Sequence, residues 1–121
     1  MTTSRANPGR RPDDAFFRHI VAGMRNAVLA ITRDGRIALM NDEAYRIFGI
    51  PRDAETLGLP FSDVLREHIE LVRVLSSVFD VELLPNRVEL RLKPRGMVIG
   101  YTMAHVRDDE GSVIGAAMFF K

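Results

Sequence analysis

The chain has 121 residues, of which 46% are hydrophobic and 27% charged, which is typical of one globular domain. It contains no cysteine, so disulfide bonds, thiolate metal sites, cysteine nucleophiles and thioether cofactor links are excluded. With a net charge of +1 and no long apolar stretch, the sequence predicts neither nucleic-acid binding nor a membrane span.

The first 25 residues divide into two predicted segments. Residues 1–12 hold Pro, Gly, Arg and small polar residues without an apolar period, which predicts a disordered tail. A helix is predicted over 13–25, because apolar side chains recur there every three or four residues. This stripe consists of Phe16, Phe17, Ile20, Val21 and Met24. It has to pack against the sheet of this domain or against a second chain.

A β-hairpin followed by a helix is predicted next. Two short apolar runs, 27–32 and 36–40, flank Asp34-Gly35, a pair that favours a tight turn between strands. Asn41 then favours the start of a helix, because its side chain can cap first-turn N–H groups. Gly49 favours the end of that helix, because glycine readily adopts the left-handed conformation.

A longer helix and three strands complete the predicted elements. The helix covers 67–79, with Ile69, Val72, Leu75 and Phe79 on one face, and it is apolar over so much of its circumference that we expect heavy burial. Residues 87–93 alternate strictly between polar and apolar, as in a half-buried strand. The strands 97–106 and 112–120 are apolar on both faces, and the charged segment 107–111 between them is predicted to be a hairpin loop.

Strands that are apolar on both faces need cover on both sides of the sheet. We expect the helices of 41–80 to cover the side that carries Gly100, Thr102, Ala104 and Val106. Tyr101, Met103 and His105 would then lie on the opposite side, beneath helix 13–25 or a partner chain. The predicted homodimer interface therefore combines Phe16, Phe17, Ile20, Val21 and Met24 with Tyr101 and Met103.

No arrangement in the sequence indicates catalysis or a metal site. His105, Asp108 and Ser112 are the only neighbouring residues of the types that a hydrolytic site needs. A charged hairpin loop already accounts for Asp108 and Ser112. The common hydrolase, metalloprotease and phosphate-loop motifs are absent. We predict no catalytic residues in this chain.

The order of these elements, together with their turn and cap residues, resembles the PAS domain. The resemblance is carried by residues 27–49 (AVLAITRDGRIALMNDEAYRIFG), 58–65 (GLPFSDVL) and 106–120 (VRDDEGSVIGAAMFF), and it covers about residues 13–121. It implies an α+β fold with a five-stranded antiparallel sheet, short helices over one face and an N-terminal helix. Family members sense ligands, light or redox state, or serve as dimerisation modules.

The resemblance implies a cytoplasmic sensory and dimerisation domain that relays a signal to a C-terminal effector. The effector we favour is the histidine kinase of a two-component system. The alternatives are a small-ligand or haem-binding receptor and the sensory domain of a transcription regulator. Because the chain stops at Lys121, where the family's junction to an effector would begin, we expect an excised fragment of a longer protein.

The resemblance also places a pocket between the inner face of the sheet and helix 67–79. Its mostly apolar lining favours a small apolar ligand or a filled core, and consists of Val28, Ala30, Leu39, Tyr45, Leu65, Ile69, Val72, Leu75, Leu90, Leu92 and Thr102. His68 is the candidate haem ligand, although Glu67 and Glu70 beside it indicate an exposed position. Without cysteine, the cysteinyl–flavin adduct of the family's photoreceptors cannot form. No cofactor is expected, and non-covalent haem or flavin stays compatible with the sequence.

Overall fold

A computed structural model describes residues 16, 20, 24–52, 54–82, 84, 86–92 and 96–120. The elements in chain order are β1 (Ala27–Thr32), β2 (Ile37–Met40), α1 (Asp42–Phe48), α2 (Phe61–Val64), α3 (Ile69–Ser76), β3 (Val88–Leu92), β4 (Met97–Arg107) and β5 (Val113–Phe120). The strands form one antiparallel sheet in the order β2-β1-β5-β4-β3. This confirms the predicted five-stranded sheet with short helices.

The predicted tail 1–12 lies outside the described residues. Of the predicted helix 13–25, only residues 16, 20, 24 and 25 are described, so this helix and the domain boundary remain predictions. No helix in the described part of the chain is both long and apolar enough to cross a membrane.

The opening hairpin forms where Asp34-Gly35 predicted it. Gly35 has a φ of 83°, a value that glycine adopts without strain. The turn is closed by Gly35 N–H, which donates to Thr32 O at 2.9 Å, and by Thr32 N–H, which donates to Arg36 O at 2.8 Å. The Thr32 hydroxyl also donates to the Asp34 carboxylate, and this bond lowers the pKa of Asp34.

Helix α1 is capped at both ends as the sequence predicted. Asn41 Oδ1 accepts from Ala44 N–H at 3.0 Å, and the same oxygen accepts from Val28 N–H at 2.9 Å in β1. Asn41 Nδ2 donates to Asn26 O at 2.8 Å. Gly49 ends the helix with a φ of 72°, so it takes the left-handed cap position. The start of α1 is therefore fixed to the start of β1.

Helix α3 is shorter than predicted and turned about its axis. It spans Ile69–Ser76 instead of 67–79, and single turns continue to Asp80. Its buried side chains are Leu71 and Leu75, with Val78 in the following turn, whereas Ile69 is 59% exposed. The predicted position of Ile69 on the buried face is wrong, because Ile69 lies in line with the exposed polar residues Arg73, Ser76 and Ser77, and Leu71 and Leu75 lie on the opposite side of the helix.

The two faces of the sheet differ in side-chain size. Tyr101 pairs with Phe120 and Met103 with Met118, and all four are buried on the face that packs beneath the helices, which we call the inner face. On the opposite, outer face lie Gly100, Thr102, Ala104 and Val106. The predicted orientation of β4 is therefore wrong. The strand is apolar on both faces, so its orientation follows from the volume that the helices leave to fill.

At Gly115, strand β5 leaves no room for a side chain against the backbone of β1. A Cβ atom on Gly115 would lie 2.5 Å from the carbonyl oxygen of Ile31, whereas one on Gly100 would meet nothing within 4 Å. We expect Gly115→Ala to lower the free energy of unfolding by about 2 kcal/mol or more, because the backbone of a central strand has to move. Gly100→Ala is the matched control and should leave stability nearly unchanged. Urea unfolding measures both, and equal losses would contradict this account.

A second prediction concerns the buried amide of Asn41, which is only 3% exposed. Asn41→Ala leaves two N–H groups and one carbonyl without their partner, so we expect a loss of about 2–4 kcal/mol in the free energy of unfolding. Asn26→Ala is the control, because Asn26 contributes its backbone oxygen and its side chain is dispensable for this bond. A loss for Asn41→Ala no larger than the loss for Asn26→Ala would show that the amide does not hold α1 to β1.

Candidate functional site

A groove of about 380 Å³ opens between the end of α1, the loop 49–59, α2 and the start of α3. We call it the α1–α3 groove. Its apolar lining consists of Phe48, Ile50, Pro51, Ala54, Leu59 and Val64. Its polar lining consists of Glu55, Thr56, Asp63, Arg66, Glu67 and His68. This volume lies in the lower range of small-molecule pockets.

The loop that forms one wall of this groove is fastened to the edge strand β2. Gly58 N–H donates to Ile37 O, and Ile37 N–H donates to Leu59 O, both at 2.8 Å. The Arg36 guanidinium donates to Gly58 O at 2.8 Å. Gly58 has a φ of 85°, so the turn that makes these bonds requires the left-handed region. The loop is thus held by two backbone bonds and one bond from the Arg36 side chain, with glycine at position 58.

Two hydroxyl groups meet beside the groove. Tyr45 Oη lies 2.7 Å from Thr56 Oγ1, and Thr56 is 5% exposed. This hydrogen bond joins α1 to the middle of the loop. Thr56 was not among the predicted site residues, because a threonine in an irregular loop carries no sequence signal of its contacts.

His68 is buried, with 3% of its surface exposed, so the prediction of an exposed position is wrong. Its Nε2 lies 3.0 Å from the carbonyl oxygen of Phe48, and its ring centroid lies 5.4 Å from the Phe48 ring. The chain turns inward just before α3, where His68 N–H donates to Leu65 O at 2.8 Å. This turn directs the imidazole away from solvent, although acidic residues flank it in sequence.

The hydrogen bond to Phe48 fixes the tautomer of His68. A carbonyl oxygen only accepts, so Nε2 carries a hydrogen atom. Nδ1 is shielded from solvent and has no hydrogen-bond partner within the described residues. With one nitrogen bonded to the backbone and the other enclosed, His68 does not fit the role of a haem ligand. Nor do the described residues hold a cluster of three metal-ligating side chains.

The residues predicted to line an inner pocket do not surround one cavity. Leu65, Leu75 and Leu92 are fully buried core residues, and Tyr45, Val72 and Leu90 pack partly buried against that core. Ile69 is exposed. The sheet register places four others on the outer face, so their assignment to an inner pocket is wrong: Val28, Ala30, Leu39 and Thr102. Neither β1 nor β4 alternates in polarity, so the sequence did not specify which side chains point inward.

A smaller cleft of about 270 Å³ lies between the C-terminal end of α3 and β4, and Tyr101 and Met103 are part of its lining. Burial raises the pKa of Tyr101. Beside the cleft, His105 Nε2 donates to Val78 O at 2.8 Å, and the imidazole stacks on Phe79 at 6.2 Å between ring centroids. His105 is half-buried, and it holds the turn that follows α3.

The hairpin loop after β4 holds no catalytic arrangement within the described residues. Asp108 Oδ1 accepts from Glu110 N–H at 2.9 Å and from Ser112 N–H at 3.0 Å. These bonds are those of a turn, as the sequence predicted, and the His105 bond to Val78 is separate from them.

The orientation of β4 removes two residues from the predicted dimer interface. Tyr101 and Met103 are each only 5% exposed on the inner face, so their assignment to an outer interface is wrong. Phe16, Ile20 and Met24 are exposed by 57%, 50% and 36%. Phe17 and Val21 lie outside the described residues. On the outer face the exposed apolar side chains are Val98, Val106 and Phe119.

Comparison with known proteins identifies one family. The sequence matches the PAS fold family over residues 15–121. A solved PAS domain of the histidine kinase ThkA is 24% identical, with a TM-score of 0.65, and the match covers 81% of this chain and 99% of that one. The PAS domain of BvgS from Bordetella pertussis is 19% identical, with a TM-score of 0.65 and coverages of 88% and 82%. No curated protein sequence matches the chain.

The raised pKa of Tyr101 predicts a change at high pH. The folded state favours the neutral phenol, so the resulting stability is fully present below about pH 10, the ordinary tyrosine pKa, and is lost as pH rises through the folded pKa. Absorbance at the phenolate band should show Tyr101 ionising late in the folded chain. Tyr101→Phe should remove that late phase. Ionisation of Tyr101 at the ordinary pKa in the folded chain would contradict its burial.

Proposed function

This chain belongs to the PAS family, and we propose that it is a sensory domain that acts as a homodimer and relays a signal to a C-terminal effector. A histidine kinase is the effector we favour, because a solved structure similar to this chain is the PAS domain of the histidine kinase ThkA. We propose a cytoplasmic location and no catalytic step within the domain.

The observation that carries the homodimer proposal is the exposed apolar surface outside the core. Val98, Val106 and Phe119 are exposed on the outer face, and Ile20 is exposed in the N-terminal segment. Apolar surface of this kind is buried when a protein finds its partner, and a second copy of the chain offers the same surface. A signal would then shift the population between two arrangements of the dimer.

The native mass of the chain tests this proposal. We expect twice the mass of one chain for the unmodified protein, and the mass of one chain for the double variant Ile20→Glu and Phe119→Glu, because two charges would be buried without partners. Leu57→Glu is the matched control, since Leu57 is 63% exposed in the loop beside α2 and should not affect the mass. A monomeric unmodified chain, or a double variant that stays dimeric, would exclude this interface.

The effector is tested separately by the coding sequence that follows Lys121. A histidine kinase core there supports the relay as proposed. A DNA-binding domain there would replace it with the alternative, the sensory domain of a transcription regulator. A solved structure of the histidine kinase ThkA in complex with the response regulator TrrA is the precedent for the first outcome, with 21% identity over 84% of this chain and 30% of that one.

A small-ligand receptor is the second candidate function, and the observation that favours it is the α1–α3 groove. It combines an apolar lining with two buried polar residues, Thr56 and His68, as small-molecule sites commonly do. This location differs from the pocket expected beneath α3. The two candidates are compatible, because ligand binding can supply the signal that the dimer relays.

A further inference from the structure

We propose that the α1–α3 groove binds a small amphipathic amine. Its apolar part would lie against Phe48 and Val64, and its ammonium group between His68 and the acidic rim, which is formed by Glu55, Asp63 and Glu67. This inference names the chemical class of input for the proposed sensor, and in that respect it rests on the proposed function. The binding itself depends only on the groove.

The lining provides an apolar site of limited size. Phe48 is 3% exposed, and its ring packs at 5.0 Å from the Phe120 ring, so this wall belongs to the rigid core. Val64 packs partly buried against the same core, and Leu59 is 45% exposed at the opposite wall. A groove of about 380 Å³ accommodates an aromatic ring with a short chain, roughly ten non-hydrogen atoms. A bare inorganic cation would leave this apolar wall unused.

His68 specifies a hydrogen-bond donor. Its Nε2 hydrogen is used by the Phe48 carbonyl, so the neutral imidazole presents a lone pair at Nδ1. That nitrogen has no partner within the described residues, and an unpaired buried acceptor is costly. Because Nδ1 lies just below the surface, a small shift of the groove wall is needed for an N–H group to reach and satisfy it, whereas a carboxylate cannot satisfy it.

The rim specifies positive charge. Glu55, Asp63 and Glu67 are exposed on it, and none of them takes part in an ion pair of the described chain. Among the described lining residues the single positive side chain is Arg66, whose guanidinium donates to the backbone oxygen of Asp63 at 3.4 Å. Three carboxylates against one guanidinium attract a cation and repel an anion. The attraction has to weaken with salt, because these groups are exposed to solvent.

The test compares three probes of nearly equal size on the full chain: 2-phenylethylamine, 2-phenylethanol and 3-phenylpropionate. Binding is followed by backbone and imidazole ¹⁵N chemical shifts near neutral pH in low salt. We expect the amine to bind about tenfold more tightly than the propionate, with the alcohol between them. The shifts should centre on residues of the groove, and the Nδ1 resonance of His68 should move with the amine. Raising the salt to about 0.3 M should reduce the difference between the probes.

Paired variants test the rim. Asp63→Asn with Glu67→Gln should weaken the amine about fivefold and leave the alcohol unchanged, because only the charge is removed. Asp80→Asn with Glu82→Gln is the matched control, since both residues are exposed outside the groove. This pair should change neither affinity.

Four outcomes would overturn the proposal: no binding of the amine up to its solubility limit, equal affinity for all three probes, tightest binding of the propionate, or shifts centred on the cleft beside Tyr101. The native mass separates this inference from the relay. Amine binding with a monomeric chain would overturn the homodimer and keep the site. A dimer that binds no amine would overturn the site and keep the homodimer.

Discussion

Asn41 joins three parts of the chain through one buried amide, and the positions of the other elements follow from it. Its Oδ1 accepts from Val28 N–H in β1 and from Ala44 N–H in α1, while its Nδ2 donates to Asn26 O. These bonds satisfy backbone groups that the start of β1 and the start of α1 would otherwise leave unpaired. They also fix the direction of α1, and so the place where Phe48 and Gly49 end that helix beside the groove.

Phe48 links the groove to the strand that ends the domain. Its carbonyl oxygen holds His68, and its ring contacts both the His68 ring at 5.4 Å and the Phe120 ring at 5.0 Å. Phe120 lies at the end of β5, next to Phe119 on the outer face. A bound ligand that displaced Phe48 would therefore press on Phe120 in β5. This series of contacts lies between the proposed input and the proposed interface, and double-mutant cycles would measure whether it couples them.

The candidate site was predictable only in part. The sequence singled out His68 and Tyr45, and both lie beside the groove. The role of each differed from the prediction, because a hydrogen bond to a distant carbonyl or to Thr56 has no local sequence pattern. The prediction of an inner pocket was wrong for another reason. Leu65, Leu75 and Leu92 fill the core, and Val28 and Thr102 lie on the other side of the sheet.

The sequence by itself determined the local elements: the turn at Asp34-Gly35, the caps at Asn41 and Gly49, and the strands that follow. Each depends on residues within a few positions, so backbone preferences and short-range hydrogen bonds are sufficient. Tertiary structure decided which face of β4 is buried. That strand is apolar on both faces, so its burial follows from register and packing volume, whereas in α3 the polar residues Arg73, Ser76 and Ser77 already mark the exposed face. Tyr101 and Met103 turn inward because the space beneath the helices requires large side chains, while Gly115 lies where β1 leaves no room for a Cβ atom.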